Sequence, residues 1–363
     1  MEFVTLVTRS SNILALNCGS SSLKFGLFRV DPDQSTSLLS GEIEAEASAD
    51  SSEETLERIA SALSDAKQAP DAIGHRIVHG GPKLLRHCII DAAVVAELEA
   101  ATVFAPLHIP GSLALVHAAQ KRFPGSPQVA CFDTAFHAAM PDVARTLPLP
   151  KHLRSEGIHR YGFHGLSCES IVRQLGDSLP DRLVIAHLGY GASITAVKAG
   201  RSIDTSMSLT PSGGVIMGTR SGDLDPGVLI YLMREKRLDA SALEDLIDRQ
   251  SGLLGISEIS GDMRRLHEAA PANEDARLGI AMFCASVRKE IAAMTAVLGG
   301  VDKIVFTGGI GENDVAIRDA IRDGLSWLGA GCAFTVLVSQ EDEQIARHSY
   351  ALVTRADSCS ARS

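Results

Sequence analysis

Two segments of the chain, one opening each half, repeat the same pattern. Residues 13–28 and 183–197 each contain an apolar run, a turn of small residues and a second apolar run. A short apolar run bounded by Gly and Ser favours a buried strand, and a tight turn returns the chain beside it. The repeated pattern predicts an internal duplication, and a chain of 363 residues is long enough for two domains.

Helical spacing of apolar residues lies between the predicted strands. It predicts helices at about residues 55–66, 91–100 and 111–122, and another that follows the glycine-rich turn 307–313 with its last apolar position at Leu325. A further apolar run at 303–306 leads into that turn as a strand. This alternation predicts an α/β protein, with a domain boundary between about residues 135 and 180.

Composition excludes several classes of protein. The formal charge of −10 argues against a nucleic-acid partner, because a phosphate backbone requires a basic face. The seven cysteines are odd in number and form no C-x-x-C pair, which favours reduced thiols over a zinc site or a disulfide framework. The sequence carries no signal-peptide pattern and no apolar run long enough to span a membrane, so we expect a cytoplasmic protein.

Three segments of the first half carry groups that suit anions or metals. The hairpin turn at 19–24 combines serine hydroxyls with Lys24, which could hold an oxyanion, although these residues by themselves favour an ordinary Ser/Gly turn. Arg76 lies among apolar residues and therefore requires an anionic partner, either a substrate or a structural carboxylate. Asp133 follows an apolar run, where an aspartate ligates Mg²⁺ or caps a turn.

Three further segments of the second half and the chain end could take part in chemistry. His164 is flanked by glycines that allow a ligand to approach, although a single histidine is more often structural. The loop 217–227 combines Arg220 with glycines and aspartates, as a phosphoryl-transfer loop or an acidic turn would. The acidic run 341–343 favours a solvated face over a metal site.

Eight motifs in order resemble the acetate kinase family over about residues 13–347. They are Asn-x-Gly-Ser-Ser-Ser-Leu-Lys, Gly-His-Arg-Ile-Val-His-Gly-Gly, Pro-Leu-His, Phe-Asp-Thr-Ala-Phe-His-x-x-Met-Pro, Arg-Tyr-Gly-Phe-His-Gly, His-Leu-Gly, Gly-Thr-Arg-Ser-Gly-Asp-Leu-Asp-Pro-Gly and Phe-Thr-Gly-Gly-Ile-Gly-Glu-Asn. Each motif is weak by itself, but their shared order is specific.

The resemblance implies a fold, a reaction and partners. The fold is the duplicated βββαβαβα arrangement of the actin-like ATPases, with domains at 1–140 plus 346–363 and at 141–345, and with the active site in the cleft between them. The reaction is the reversible transfer of the ATP γ-phosphoryl group to acetate, giving acetyl phosphate and ADP. The implied metal is Mg²⁺ or Mn²⁺, and the implied assembly is a homodimer.

The resemblance also assigns roles residue by residue. The implied catalytic residues are Asp133, Arg76, Arg220 and His164, with His108 as a further active-site histidine. Arg76 also binds the substrate carboxylate, and the implied pocket for the acyl methyl is Val78, Leu107, Phe163 and Pro211. The implied nucleotide and phosphate contacts are Ser20, Ser22, Lys24, His187, Gly189, Gly191, Asp262, Arg264, Gly309, Ile310 and Asn313. The implied metal residues are Asn17 and Glu341.

The sequence departs from the family at three places. Tyr190 replaces an asparagine near the nucleotide phosphates, Ile109 replaces an asparagine beside the acyl site, and residues 212–214 replace Leu-Glu-Gly. We expect the Tyr190 ring to lie at the edge of the site, with Gly191 and Ser193 making the remaining phosphate contacts. The alternative is a surface tyrosine without a role.

Two other functions remain open from the sequence. A propionate or butyrate kinase would use the same mechanism, because one methylene changes binding by only about 1–3 kcal/mol. An inactive nucleotide-binding regulatory relative would need neither transfer arginine, so the presence of Arg76 and Arg220 argues against it.

Overall fold

Two mixed β-sheets form the framework of the structure, a computed structural model that describes residues 10–19, 22–44 and 49–360. The first sheet has the strand order β3-β2-β1-β4-β6-β5, with β1 Ser11–Cys18, β2 Ser22–Val30, β3 Ser35–Glu44, β4 Ala72–Ile77, β5 Cys88–Ile89 and β6 Gln128–Phe132. The second has the order β11-β10-β7-β8-β9, with β7 Arg182–Leu188, β8 Ala192–Lys198, β9 Arg201–Thr205, β10 Lys303–Thr307 and β11 Ala333–Val336.

The two sheets share one topology, which confirms the predicted duplication. In the first sheet β1 and β2 are antiparallel, as are β2 and β3, while β4 runs parallel to β1 and β6 parallel to β4. In the second sheet β7, β8 and β9 form the same antiparallel set, and β10 and β11 follow in parallel. The short β5 at the edge of the first sheet has no counterpart among the described strands of the second.

Helices connect and cover the sheets. In the first half they are α1 Ala49–Asp65, α2 Ala92–Ala100, α3 Ile109–Arg122, α4 Asp142–Arg145, α5 Lys151–Ser155 and α6 Gly165–Leu175. In the second half they are α7 Pro226–Glu235, α8 Ala240–Arg249, α9 Gly252–Ser257, α10 Met263–Ala269, α11 Glu274–Leu298, α12 Gly308–Asn313, α13 Val315–Asp323 and α14 Glu341–Ser360. None of the helices of the described residues is both long and apolar enough to cross a membrane.

The chain forms two compact units. The first contains the residues up to Ala135, Gly165–Ser170 and the residues from Gln340 onward; the second contains Phe136–His164 and Ile171–Ser339. The predicted domains at 1–140 plus 346–363 and at 141–345 stay a prediction, because a division by contacts does not test whether each part folds independently.

The core of the first unit follows from the two-residue period of a strand. Leu14 and Leu16 of β1 point to one face, where they join a cluster that includes α1 and α3. Ile13 and Ala15 point to the other face, where they join Ile345 and other residues of α14. Alternate residues of one strand therefore enter two cores, and the sheet lies between helical layers.

The close approach of α14 to this sheet requires a glycine. A Cβ atom at Gly74, on β4, would lie 2.3 Å from Ser349 Oγ and 2.5 Å from Ile345 Cγ2. A larger residue at this position would overlap these side chains, so either they or the helix would have to shift.

The second unit is centred on β7, which is buried on both faces. Leu183, Val184, Ile185 and Ala186 are all fully buried. Helix α11 packs against β7 and β8, with a buried stripe spaced three or four residues apart: Phe283, Val287, Ile291, Met294 and Leu298. That spacing places the stripe on one helical face.

Most predicted elements are present, with one local difference. The segment 307–313 was expected to be a glycine-rich turn before a helix, but Gly308–Asn313 is itself helical and forms α12. The glycines allow the chain to enter this helix directly from β10, because Gly308 has a φ of 79°.

Candidate active site

Arg76 and Asp133 form a buried ion pair in the first unit. Arg76 lies on β4 and Asp133 directly follows β6, a parallel neighbour, so the two side chains meet at the same edge of the sheet. Arg76 Nη2 donates to Asp133 Oδ2 at 2.6 Å, and Nε donates to the same oxygen at 2.9 Å. The arginine therefore has the anionic partner that its apolar surroundings require, and that partner is the predicted catalytic acid.

The second oxygen of Asp133 is in a different environment. Oδ1 is buried and accepts no hydrogen bond from any group that the structure describes. Burial raises the pKa of the Asp133 carboxyl, while Arg76 opposes that shift. A buried carboxylate oxygen without a donor is costly, and a cation would satisfy it, so this oxygen fits a metal ligand.

Asn17 connects the ion pair to two more carboxylates. Its Oδ1 accepts from Arg76 Nη1 at 3.3 Å, and its Nδ2 donates to Glu341 Oε2 at 3.1 Å and to Asp342 Oδ1 at 2.8 Å. Burial raises the pKa of Asp342, and the hydrogen bond from Asn17 lowers it in part. The first turn of α14 thus adds two acidic groups beside Arg76, although the sequence favoured a solvated face for residues 341–343.

Asp342 was not among the predicted site residues. Its neighbour Glu341 was assigned to the metal by resemblance, and Glu343 pairs with Arg347 one turn later on α14. Only the contact between the start of α14 and the end of β1 distinguishes Asp342 from an ordinary acidic helix start. That contact joins Asn17 and Asp342, which lie 325 positions apart in the chain.

The hairpin β1–β2 places Lys24 opposite Asn17 in the strand register. Lys24 is exposed, and Ser22 donates from its hydroxyl to Glu42 Oε1 at 2.6 Å. Ser20, the other predicted phosphate contact of this turn, lies outside the described residues. The assignments of Ser22 and Lys24 to phosphate stay predictions.

In the second unit, several predicted residues meet around Gly191. A Cβ atom at Gly191 would lie 3.4 Å from Arg220 Nη1 and 3.4 Å from His164 Nε2. His164 stacks on His187 with ring centroids 4.2 Å apart, and its Nδ1 lies 3.0 Å from Ser193 Oγ. The structure thus brings one arginine and two histidines to the β7–β8 turn, where small residues leave room for a ligand.

Arg220 is held by the backbone of a neighbouring loop. Its Nη1 donates to the carbonyl oxygen of Pro211 at 3.3 Å. Arg220 is half-buried, and a guanidinium keeps its charge in such a site. Pro211, a predicted pocket residue, therefore orients the arginine through its carbonyl group.

Tyr190 contacts the arginine-bearing loop. Its carbonyl oxygen accepts from the N–H of Gly218 at 3.0 Å, and a Cβ atom at Gly218 would lie 2.8 Å from Tyr190 Cε2. The ring therefore contacts Gly218, while the residue remains 56% exposed. Whether the ring shapes a nucleotide site stays a prediction.

The predicted nucleotide residues occupy two places in the second unit. Helix α12 carries Gly309, Ile310 and Asn313. It begins close to the β7–β8 turn, because a Cβ atom at Gly189 would lie 3.8 Å from the Gly309 nitrogen. Asp262 caps α10 and pairs with Arg264 at 2.6 Å. This pair was predicted to contact the nucleotide, and it is engaged within its own helix start.

The predicted acyl-pocket residues belong to both units. Val78 is buried just after β4, and Leu107 is partly exposed before α3, both in the first unit. Phe163 is buried and belongs, with Pro211, to the second. His108 of the first unit immediately precedes α3. The pocket and the role of His108 stay predictions.

Glu312 was not singled out from the sequence, although it supports the segment after β10. One of its oxygens accepts from the backbone N–H groups of Gly308 and Ser339, each at 2.9 Å. It also accepts from the hydroxyl of Thr307 at 3.3 Å. A carboxylate between three donors stabilises this glycine-rich backbone.

A second histidine cluster lies in the first unit, apart from these residues. His348 Nε2 and His87 Nε2 lie 2.8 Å and 3.9 Å from Glu169 Oε2. His87 Nδ1 accepts from the N–H of Phe132 at 3.0 Å, so the neutral ring carries its proton on Nε2. A metal on that nitrogen would require an imidazolate ring, and the cluster is therefore a hydrogen-bonded network instead of a cation site. Burial would raise the pKa of Glu169, but the two histidines lower it to about 2.

Comparison with known proteins places this arrangement in a family. The chain matches the model of the acetokinase family over residues 12–354. It is 43% identical over 345 residues to an acetate kinase of Shewanella loihica, covering 86% of each chain. It is also 40% identical over 351 residues to an acetate kinase of Halothermothrix orenii, covering 87% of this chain and 88% of that one.

Solved structures show the same relationship. A propionate kinase from Francisella tularensis superposes with a TM-score of 0.86 at 34% identity, covering 94% of this chain and all of that one. The acetate kinase from Porphyromonas gingivalis superposes with a TM-score of 0.81 at 33% identity over the same shares. The duplicated sheets, the motifs in order and these matches lead to one conclusion: the chain belongs to the acetokinase family.

Proposed function

We propose that this member of the acetokinase family is an acetate kinase, which transfers the γ-phosphoryl group of ATP reversibly to acetate and gives acetyl phosphate and ADP. The observation that carries the proposal is the family match over residues 12–354, which includes the Arg76–Asp133 pair and the Arg220–His164 group. Both sets supply the cations and hydrogen-bond donors that phosphoryl transfer requires.

The chemistry assigns the residues different tasks. Acetate is ionised at neutral pH, so the nucleophile needs no general base. The transferring group spreads negative charge over its oxygens, and Arg76, Arg220 and His164 would offset that charge. Arg76 would also orient the acetate carboxylate. Asp133 would organise the metal and the phosphate and would not take up a proton from the nucleophile.

Carboxylates near Arg76 support the proposal of a divalent-cation site in the first unit. Asp133 Oδ1 is buried without a hydrogen-bond donor among the described residues, and Glu341 and Asp342 lie within hydrogen-bond distance of Asn17. Asp133, Glu341 and Asp342 would hold Mg²⁺ or Mn²⁺ directly or through water, and Asn17 stays a predicted ligand through its amide oxygen. The cation would neutralise phosphate charge when bound.

Trapping of the acyl phosphate tests the proposed reaction. The protein is incubated with ATP, MgCl₂ and acetate in hydroxylamine, which converts acetyl phosphate to a coloured hydroxamate. We expect hydroxamate formation that requires all three reactants. An inactive nucleotide-binding relative would give none, and that result would overturn the proposal.

The acid preference forms a second question within the same reaction. The structural likeness to a protein described as a propionate kinase favours propionate as an alternative acceptor. The measurement is kcat/KM for acetate, propionate and butyrate under identical conditions. We expect acetate to give the highest value, while a higher value for propionate would assign the chain to the alternative.

The proposed assembly is a homodimer, supported by helix α7. None of its residues is buried, although it contains Val228, Ile230, Tyr231 and Met233, each 43–55% exposed. A helix that is apolar on several sides normally lies against a partner, and we assign a second copy of the chain to it. Light scattering should give twice the chain mass of 38.4 kDa, and Tyr231→Glu should shift it toward one chain mass. A parent protein of single-chain mass would contradict this.

A further inference from the structure

We propose that His137 is a positioning residue for phosphoryl transfer, and that it acts by fixing the peptide group between Phe163 and His164. The role rests on the proposed function, because it concerns the contribution of His164 to transfer. His137 lies 26 residues before Phe163 in the chain but directly beside it in the second unit.

The hydrogen bonds of His137 fix its tautomer. Nε2 lies 2.9 Å from the carbonyl oxygen of Phe163, and Nδ1 lies 2.8 Å from Ser202 Oγ. A carbonyl oxygen only accepts, so Nε2 carries the proton and Nδ1 accepts from the Ser202 hydroxyl. Burial lowers the pKa of His137 to about 4, which keeps the ring neutral at the pH of most assays.

The ring also determines the shape of the backbone before His164. Gly162 has a φ of 77°, and a Cβ atom there would lie 2.7 Å from His137 Cγ and 2.6 Å from Thr205 Cγ2. Gly162 therefore packs closely against the imidazole. Only glycine fits, both because of the space and because of the conformation.

His164 has an unusual conformation that requires support. Its φ is 56°, in the left-handed region, although it is not a glycine and directly precedes α6. Such a conformation is strained for a residue other than glycine and persists where surrounding contacts fix it. The hydrogen bond from His137 holds the carbonyl of the peptide that defines this φ, and it therefore determines the direction in which the His164 side chain leaves the backbone.

His137 cannot itself contact the substrates. It is 1% exposed, and both ring nitrogens are occupied by Ser202 and Phe163. Its effect must pass through Phe163 and His164. Because His164 Nε2 lies beside Gly191 and near Arg220, a rotation of the 163–164 peptide would move an imidazole at the place where charge must be stabilised.

A double-mutant cycle tests this role. The proteins are the parent, His137→Leu, His137→Gln, His164→Ala and the double variant His137→Leu/His164→Ala, with kcat and both KM values measured by hydroxamate formation. Leucine removes the donor, whereas glutamine retains an N–H group that can reach the Phe163 carbonyl. His348→Leu is the control, since His348 is hydrogen-bonded like His137 but is only half-buried and lies in the first unit.

We expect His137→Leu to lower kcat about 10- to 100-fold with less than a threefold change in the KM for ATP. In the His164→Ala background the same substitution should lower kcat by less than about threefold, because the positioned group is absent. His137→Gln should recover most of the lost kcat, and His348→Leu should keep kcat within about twofold.

Full additivity of the two substitutions, or a kcat for His137→Leu equal to that of the parent, would overturn the positioning role. If His137→Leu does not fold, the test rests on His137→Gln. A folded His137→Gln with a kcat as low as that of His164→Ala would also overturn the positioning role. Absence of hydroxamate from the parent itself would instead contradict the proposed function, so the two failures are distinguishable.

Discussion

At the scale of single residues, the two oxygens of Asp133 have different partners. Oδ2 receives both donors from Arg76, and Oδ1 receives none from the described residues. A structural ion pair would be satisfied by the first oxygen alone. The second oxygen, which is buried and meets no donor among the described residues, is the feature that supports the proposed cation site.

Asp133→Asn tests this reading because the amide keeps the shape of the side chain. We expect most turnover to be lost and the Mg²⁺ concentration needed for half-maximal activity to rise, since an amide is a weaker ligand than a carboxylate. Asp302→Asn is a matched control, because Asp302 also pairs with an arginine but lies on the surface. If the Mg²⁺ titration and the turnover of Asp133→Asn overlay those of the parent, Asp133 has only a structural role.

The sequence predicts single residues of this site unevenly. It predicts that Arg76 needs an anion, because a charge among apolar neighbours must be paired. It does not predict Asp342, because an acidic start of a helix is usually solvated, and only the fold brings α14 to Asn17. It also does not predict the His137–Phe163 hydrogen bond, which depends on how two loops pack.

At the scale of elements, the β7–β8 turn and the arginine-bearing loop form one assembly. The Gly218 N–H donates to Tyr190, and the Tyr190 ring covers Gly218. Tyr190→Asn should change the KM for ATP several-fold and the KM for acetate less, because the substitution removes the ring from this loop and adds an amide that donates two hydrogen bonds. Steady-state kinetics with each substrate varied in turn provides the measurement. Identical constants in both proteins would support a surface tyrosine without a role.

The packing of α14 on the first sheet makes a prediction about stability. Gly74→Ala should lower the free energy of unfolding by roughly 1–3 kcal/mol, because its Cβ would overlap Ser349 and Ile345. Gly125→Ala is the control, since a Cβ there would meet no atom within 4 Å. The measurement is urea unfolding of the three proteins. Equal midpoints for Gly74→Ala and the parent would show that the helix yields without cost.

The elements themselves were predictable where apolar periodicity is strong. The buried runs in β1, β7 and β10 and the apolar spacing of α13 locate these elements within a few residues. Residues 308–313 were not predicted as helical, since three glycines disfavour a helix in isolation. Hydrogen bonds to Glu312 from Thr307, Gly308 and Ser339 stabilise that segment in the fold.

At the scale of the whole molecule, the same topology occurs twice, and each copy carries different chemistry. The first unit contains Arg76 and the carboxylates near it, and the second contains Arg220 and His164, so the proposed function assigns different tasks to the two repeats. The duplication was predictable from the two hairpins, because each hairpin opens a repeat. The proposed distribution of tasks was not, since it depends on which side chains each repeat carries and not on the topology that the repeats share.

Buried histidines make the stability of the molecule depend on pH. Burial lowers the pKa of His75 and of His137 to about 4, against an ordinary value of 6.5. Between these two pKa values the unfolded chain binds more protons than the folded protein. The stability that each neutral histidine contributes is therefore fully present above pH 6.5, and it is lost as the pH falls toward 4. Each of the two histidines should lower the free energy of unfolding by roughly 2 kcal/mol as the pH falls from 7 to 5.

Urea unfolding at a series of pH values measures this loss. In His75→Gln the free energy of unfolding should fall less between pH 6.5 and pH 4 than in the parent. The difference should equal the contribution of His75, because glutamine does not titrate. A parent profile that is level across this range would show that the two histidines titrate normally in the folded protein. Glu169, whose pKa is lowered to about 2, contributes to the loss only below its ordinary value of 4.5.

Arg220 gives the most direct test of the proposed transfer of a phosphoryl group to acetate. Hydroxamate formation from ATP and acetate is compared in the parent, in Arg220→Ala and in Arg249→Ala, an exposed arginine of the same unit. The parent and Arg249→Ala should turn over equally, while Arg220→Ala should lose about 10²–10⁴-fold in kcat with little change in thermal stability. A parent that forms no acyl phosphate, or an Arg220→Ala variant that keeps the parent's kcat, would contradict the account.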